Sequence, residues 1–257
     1  MRIKQQAIAF YTLVRRELVR MFRIASQVFL PPVITTALYF LIFGSLIGSR
    51  IGPVHGVSYV MFIAPGLIMM SIITNAYGNV STSLFSVRFQ KSIEEILISP
   101  INNGLLLLGY VFGGILRGII VALLVFIVSC FFMTLHIQHV LLAMLVVVLV
   151  SAVFSLAGFT NAMLARNFDD VMLVPTFILT PLTYLGGVFY SSSMLPPIWQ
   201  TISHFNPILY MVSALRHAMI GQGEVNLVVS MSIICLMLGS LIAINLIMLK
   251  KGVGMRD

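Results

Sequence analysis

The sequence predicts an all-α integral membrane protein with six transmembrane helices. Of its 257 residues, 60% are hydrophobic and 9% charged, whereas a soluble domain carries roughly a quarter charged residues. Mean hydropathy is +1.08. The apolar runs are about 20 residues long, the length of a helix crossing hydrocarbon. They do not alternate, as the roughly ten-residue strands of a membrane barrel would. Lipid offers no partner to an open backbone, so helices are the remaining way to span it.

The chain opens with an amphipathic stretch, residues 5–24. Arg15, Arg16, Arg20 and Arg23 share one arc of a helical wheel, with Phe10, Val14, Leu18, Met21 and Phe22 largely opposite. This reads as an interfacial helix on an anionic leaflet, or as a positive flank that fixes topology. The first span is expected over about 28–48, with Pro31 and Pro32 near its start, where missing backbone donors cost little. A loop at 49–56 carries Arg50 and His55. The second span, about 57–84, contains Pro65-Gly66 and a polar stripe of Ser71, Asn75 and Asn79. Four-residue spacing puts that stripe on one face, either as glue between helices or as a substrate path.

The segment RFQKSIEEILISP, residues 88–100, is the one extended charged stretch between the first and last apolar runs. Arg88, Lys91, Glu94 and Glu95 fall within eight residues, and Ile93, Ile96 and Leu97 lie at helical spacing. Pro100 ends the pattern, because the residue before a proline avoids helical geometry. A helix this short spans nothing. It is a solvated connection, a membrane-surface helix or a docking element for another protein.

The third span, about 104–133, carries Gly109-x-x-x-Gly113 and Gly114-x-x-x-Gly118, spacings that let another helix approach closely. It also holds Arg117, about 20 Å along the helix from Gly104. A buried arginine needs a partner, a headgroup or a wet cavity, which makes Arg117 the leading candidate inside the membrane. His136 and His139 flank a short loop without a third ligand nearby, too few for a metal site. The fourth span, about 140–164, ends in a charged turn at 166–170. The fifth, about 171–190, contains Pro175 and Pro181. Residues 191–221 hold two apolar segments, 195–205 and 208–220, split by Asn206-Pro207. Each is too short to cross, so a re-entrant pair of half-helices is expected, with Trp199 and Tyr210 in an interface belt. The last span, about 227–249, closes on Lys250, Lys251 and Arg256.

The formal net charge is +8, with 15 basic residues. They cluster beside the spans, which points to headgroups and topology rather than nucleic acid. With both termini inside, twelve of them face the cytoplasm, Arg50 and Arg216 lie outside, and Arg117 is within a span. The positive-inside rule therefore puts the charged segment 88–100 in the cytoplasm and the half-helix pair outside. Cys130 and Cys235 lie in apolar runs and read as packing residues rather than a disulfide. No cleavable signal peptide is evident. The seven acidic residues all fall in loops or near the termini. That argues against an ion-coupled secondary transporter or channel, the main alternative, which usually needs charge within the membrane. No catalytic constellation stands out. The chain has no G-x-x-x-x-G-K-[ST] phosphate loop, so it cannot hold ATP by that route.

The layout resembles the membrane-spanning permease subunit of a type-2 ABC exporter, the class that includes bacterial multidrug, polysaccharide and O-antigen permeases. The resemblance covers nearly the whole chain as a single transmembrane permease domain, residues 1–257. It rests on the N-terminal helix, the six spans, E-E-x-L-x-x-P (Glu94, Glu95, Leu97, Pro100) after span two, and N-P-x-x-Y (Asn206, Pro207, Tyr210) followed by Arg216. The stretch LTPLTYLGGVFY also looks like the family's fifth span. The resemblance implies a bacterial inner-membrane protein paired with a second permease copy and cytoplasmic ATPase subunits. ATP and magnesium would sit on those partners, with no cofactor or metal on this chain. Residues 88–100 would be the coupling helix, and the cargo an amphipathic, lipid-linked or drug-like molecule.

Overall fold

The computed structural model describes residues 2–48, 52–54, 56–92, 101–134 and 137–254. Glu94, Glu95, Leu97 and Pro100 lie outside the described residues, as do Arg50, His55, His136 and Arg256. Among the described residues, six helices are long and apolar enough to cross a membrane. They are span one (Ala25–Gly44), span two (Tyr59–Phe89), span three (Asn103–Phe132), span four (Val140–Leu164), span five (Phe168–Leu185) and span six (Leu227–Lys251). An N-terminal helix, Arg2–Arg23, precedes them, and two short outer helices, Pro197–His204 and Pro207–Ile220, separate spans five and six. The ends of the bundle differ. Arg88, Arg166, Lys250 and Lys251 gather at one, the basic face, and the outer helices cover the other, the far face.

Span two is the axis. Its apolar residues point all round, so it is covered by protein rather than lipid. Ile63, Ile72, Ile73 and Val80 are fully buried along its length, against spans three and four. Two glycines allow the close approach. A Cβ on Gly158 of span four would sit 2.5 Å from the carbonyl oxygen of Tyr77, and one on Gly66 would sit 2.6 Å from that of Val188. The paired glycine motifs of span three serve two neighbours. Gly109 and Gly113 receive Leu13 and Glu17 of the N-terminal helix, while Gly114 and Gly118 receive Ser155 and Ser151 of span four.

Three expectations change. Span one begins at Ala25, continuous with the N-terminal helix except for a break at Ile24, so Pro31 and Pro32 lie in its interior. The carbonyls one turn back, on Gln27 and Val28, therefore lack their helical donors. Span five stops at Leu185 and is interrupted by a π-helical turn, Pro175–Leu179. Pro175 removes the helical donor of the Val171 carbonyl, which accepts instead from Asn161 Nδ2 at 3.0 Å, while Thr180 Oγ1 donates to the Pro175 carbonyl at 2.9 Å and Thr183 Oγ1 to that of Leu179 at 2.6 Å. Cys130 and Cys235 are free, but both are exposed on the outer surface of the bundle and do not pack the core.

Of the two outer helices, Pro207–Ile220 is buried almost throughout and packs on spans two, four and six. Pro197–His204 stays at the surface and exposes Ile198 and Trp199. Asn206 creates the break between them. Its Oδ1 accepts from the Ile208 amide at 3.0 Å, capping a helix that starts with proline, and its Nδ2 donates to the Leu182 carbonyl.

Candidate functional site

The polar groups collect in three places along the axis formed by spans two and three. The first joins the N-terminal helix to the bundle. Glu17 is buried there at 1% exposure, although it precedes every span. Its Oε1 accepts from Ser83 Oγ at 2.7 Å and Arg16 Nη2 at 3.2 Å, and its Oε2 accepts from Arg20 Nη2 at 3.1 Å. Arg16 also donates to the Tyr110 hydroxyl at 2.7 Å, and Arg20 to Asn79 Oδ1 at 2.8 Å and the Asn79 carbonyl at 3.0 Å. The basic arc expected of this helix is thus divided. Arg15 and Arg23 are exposed, whereas Arg16 and Arg20 turn inward around Glu17. The buried line is Leu13, Glu17 and Met21, while Tyr11, Val19 and Phe22 face outward. The expectation that acidic residues sit only in loops or near termini misses this site. Its sequence signal is a lone acid with arginines at one residue before and three after.

The second place is the polar stripe of span two. Arg117 donates to Asn75 Oδ1 from Nε at 3.3 Å and from Nη2 at 3.0 Å. Asn75 Nδ2 is held by the Ser71 carbonyl at 3.0 Å. Both residues line a cavity of about 330 Å³ between spans one, two and three. Asn79, one turn away, faces the N-terminal helix instead and is 1% exposed, so it lies off this cavity. The depth of Arg117 in the bilayer follows from the lengths of the spans. Span three has 30 residues, about 45 Å at 1.5 Å each, against a hydrocarbon core of about 30 Å. The cavity is lined by span one from Gln27 to Tyr39, the part that follows the start of that span at Ala25, which sets Arg117 toward the basic face. Arg117 therefore lies on the basic side of the hydrocarbon, not at the bilayer centre.

The third place is the root of the 88–100 segment. Arg88 Nη1 donates to the carbonyls of Ala162, of Met163 at 3.0 Å and of Ala165 at 3.2 Å. These are carbonyls at the C-terminal end of span four, where helical donors run out and a cation is favoured. Phe85 and Phe89 close on Phe168 of span five, with ring centroids 4.8 and 5.0 Å apart. Asn167 caps span five by accepting from the Asp170 amide at 2.7 Å. Lys91, exposed and with φ +57, lies in the turn that ends span two. Span two therefore ends fastened to spans four and five.

At the far face, Arg216 is buried rather than exposed, at 1%. Its Nη1 meets Glu224 Oε1 at 3.0 Å, its Nη2 donates to the Gly187 carbonyl at 2.8 Å, and its guanidinium lies 3.8 Å from the Phe62 ring centroid. Glu224 Oε2 accepts from the Ser192 amide at 2.9 Å. Tyr210 donates to the His204 carbonyl at 2.7 Å. The pair ties the Pro207–Ile220 helix to span two and to the segment that follows span five. Ser83, Tyr110 and Phe168 were not marked by the sequence, since their partners are distant in the chain; Glu224 was not marked either, although Arg216 lies only eight positions before it. Among the described residues, no group of three or more His, Cys, Asp or Glu side chains could hold a metal ion.

Residues 8–220 match the family model described as ABC-2 type transporter. The chain is 48% identical over 250 residues to the inner membrane transport permease YadH of Escherichia coli K12, covering 97% of this chain and 98% of that protein. The same figures hold for YadH of Shigella flexneri. It is 25% identical over 194 residues to nodulation protein J of Rhizobium leguminosarum bv. viciae, covering 75% of each chain.

Proposed function

We propose, since this chain belongs to the ABC-2 type transporter family and is the membrane-spanning subunit of an ABC exporter in the inner membrane, that residues 88–100 receive the stroke of a separate ATPase subunit. The carrying observation is the root of that segment. Arg88 grips the end of span four and the Phe85–Phe89–Phe168 cluster grips span five. A push on the segment would reach three spans at once, since packed helices transmit strain rather than absorb it. Glu94, Glu95, Leu97 and Pro100 are assigned to the docking surface with Lys91, where their charges would set register more than affinity. ATP and magnesium belong to the partner. Both termini and the basic face are assigned to the cytoplasm, by the excess of lysine and arginine there.

Two copies of the chain would form the pathway. Spans one and five expose apolar faces, with Leu38, Leu41, Phe177 and Ile178 among them, and a homodimer would cover part of that surface. The cargo is taken to be amphipathic or lipid-linked, because the cavity at Arg117 lies beside the leaflet on the basic side.

The test is purification of the tagged chain in mild detergent from its own cells. The expected result is a stoichiometric ATPase subunit, lost with Glu94→Lys/Glu95→Lys while the mutant chain still inserts and folds. A chain that carries no ATPase in detergent or in nanodiscs overturns the coupling assignment.

A further inference from the structure

We propose that the cavity between spans one, two and three binds the anionic phosphate group of a lipid or lipid-linked molecule, with Arg117 as its cation. The proposal deepens the reading of the chain as an exporter of lipid-like cargo and rests on it for the origin of that molecule.

The charges call for such a ligand. Arg16, Arg20 and Arg117 form a cluster along the axis of the bundle. Arg20 sits on Asn79 and Arg117 on Asn75, one helical turn apart. Of the described residues, Glu17 is the one carboxylate bonded within this cluster, and Arg16, Arg20 and Ser83 already occupy both its oxygens. Among the described residues, Arg117 has only the neutral oxygen of Asn75 as partner, and its Nη1 makes no hydrogen bond. A guanidinium held inside hydrocarbon without a countercharge is costly, so an anion bound there is strongly favoured.

The walls fit a phosphate better than a carboxylate. Guanidinium forks match both anions. The hydroxyl-bearing Thr36, buried, and Ser71, half-buried, line the same cavity as Arg117, while Gln27, Thr35 and Thr74 are exposed at the rim. These supply donors for the further oxygens that only the phosphate has. The volume, about 330 Å³, suits a headgroup and not a whole lipid. Leu30, Ile34 and Leu38 are exposed on span one beside the rim, an apolar track for acyl chains. Charged lipids reach this depth from the adjacent leaflet, whereas free phosphate would have to leave water.

The experiment uses the full chain in a maltoside detergent, which contains no phosphate. Binding of a fluorescent phosphatidic acid is compared with that of the diacylglycerol bearing the same chains. A charge-assisted contact predicts a preference of about tenfold or more for the phosphate-bearing lipid. Arg117→Gln should reduce it to within about twofold. So should Asn75→Asp, which gives Arg117 an internal partner and keeps the proposal testable if the first variant does not fold. A preference that survives in both variants, or is absent from the wild type, overturns the proposal. Displacement of the lipid by millimolar inorganic phosphate would assign the site to the free anion and overturn the lipid assignment. ATPase copurification is measured on the same preparations. A chain that carries its ATPase but shows no headgroup preference fails here alone.

Discussion

Glu17 is the residue on which the N-terminal helix depends. It is buried, accepts three hydrogen bonds, and neutralises two arginines that would otherwise face the bundle unpaired. Removing one member of a buried ion pair typically costs about 3–5 kcal/mol. Because Arg16 and Arg20 stay partly exposed, at 39% and 29% of their side chains, Glu17→Ala should cost nearer the lower bound, about 3 kcal/mol. Unfolding in mixed detergent micelles would measure it, and wild-type stability would show that the helix is held by Leu13 and Met21 instead. Arg216 and Glu224 behave differently, since their side chains are almost wholly buried, at 2% and 5%. Arg216→Met and Glu224→Leu should each destabilise strongly by stranding the other charge. The double variant should lose less than the two single losses added together, by a coupling of about 2–3 kcal/mol. Additive losses would mean the two residues act through separate contacts. Arg117 was legible in the sequence, because an arginine within an apolar run has no inconspicuous explanation. Glu17 was not. It stands outside every run, and its acceptor role depends on Ser83, 66 positions away.

At the level of elements, the glycines divide by what faces them. Gly158 meets the backbone of Tyr77 and Ser81, and backbone cannot rotate aside. Gly158→Ala should therefore push spans two and four apart and cost about 1–3 kcal/mol. Gly239 of span six has nothing within 4 Å. Gly239→Ala should be neutral or stabilising by up to about 1 kcal/mol, through reduced freedom of the unfolded chain. Parallel unfolding of the two variants checks this, and equal losses would refute the close-packing argument. Spans four and six matched their apolar runs because lipid length sets both. Span five did not. Its prolines were visible, but the π-turn is marked by a backbone bond from the Thr180 amide to the Pro175 carbonyl, five residues back, which apolar periodicity does not record. Span one was also set too late, since the prolines looked like a start and proved to be interior.

For the whole molecule, the layout of six spans and paired outer helices was readable, because it follows from hydropathy and two short broken segments. The connection between the ends of the spans was not, since Arg88 reaches carbonyls more than 70 positions away. That connection separates two roles within one segment. Residues Glu94 and Glu95 are assigned to the partner surface, whereas Arg88 faces the chain's own fourth span. Replacing Arg88 removes the cation from the carbonyl end of span four and frees the root of the segment from it. Hydrogen bonds to a charged donor are worth about 1.5–3 kcal/mol, enough to loosen the joint while the span, held by its buried face, stays helical. Arg88→Gln should therefore keep the ATPase bound and hydrolysing but reduce export sharply. Glu94→Lys/Glu95→Lys should lose the ATPase itself. Copurification and hydrolysis, assayed beside transport in reconstituted vesicles, distinguish the two. If Arg88→Gln loses the ATPase as the double reversal does, Arg88 belongs to the docking surface. If it leaves export intact, the grip on span four is structural, and the stroke reaches the spans through the Phe85–Phe89–Phe168 contact alone.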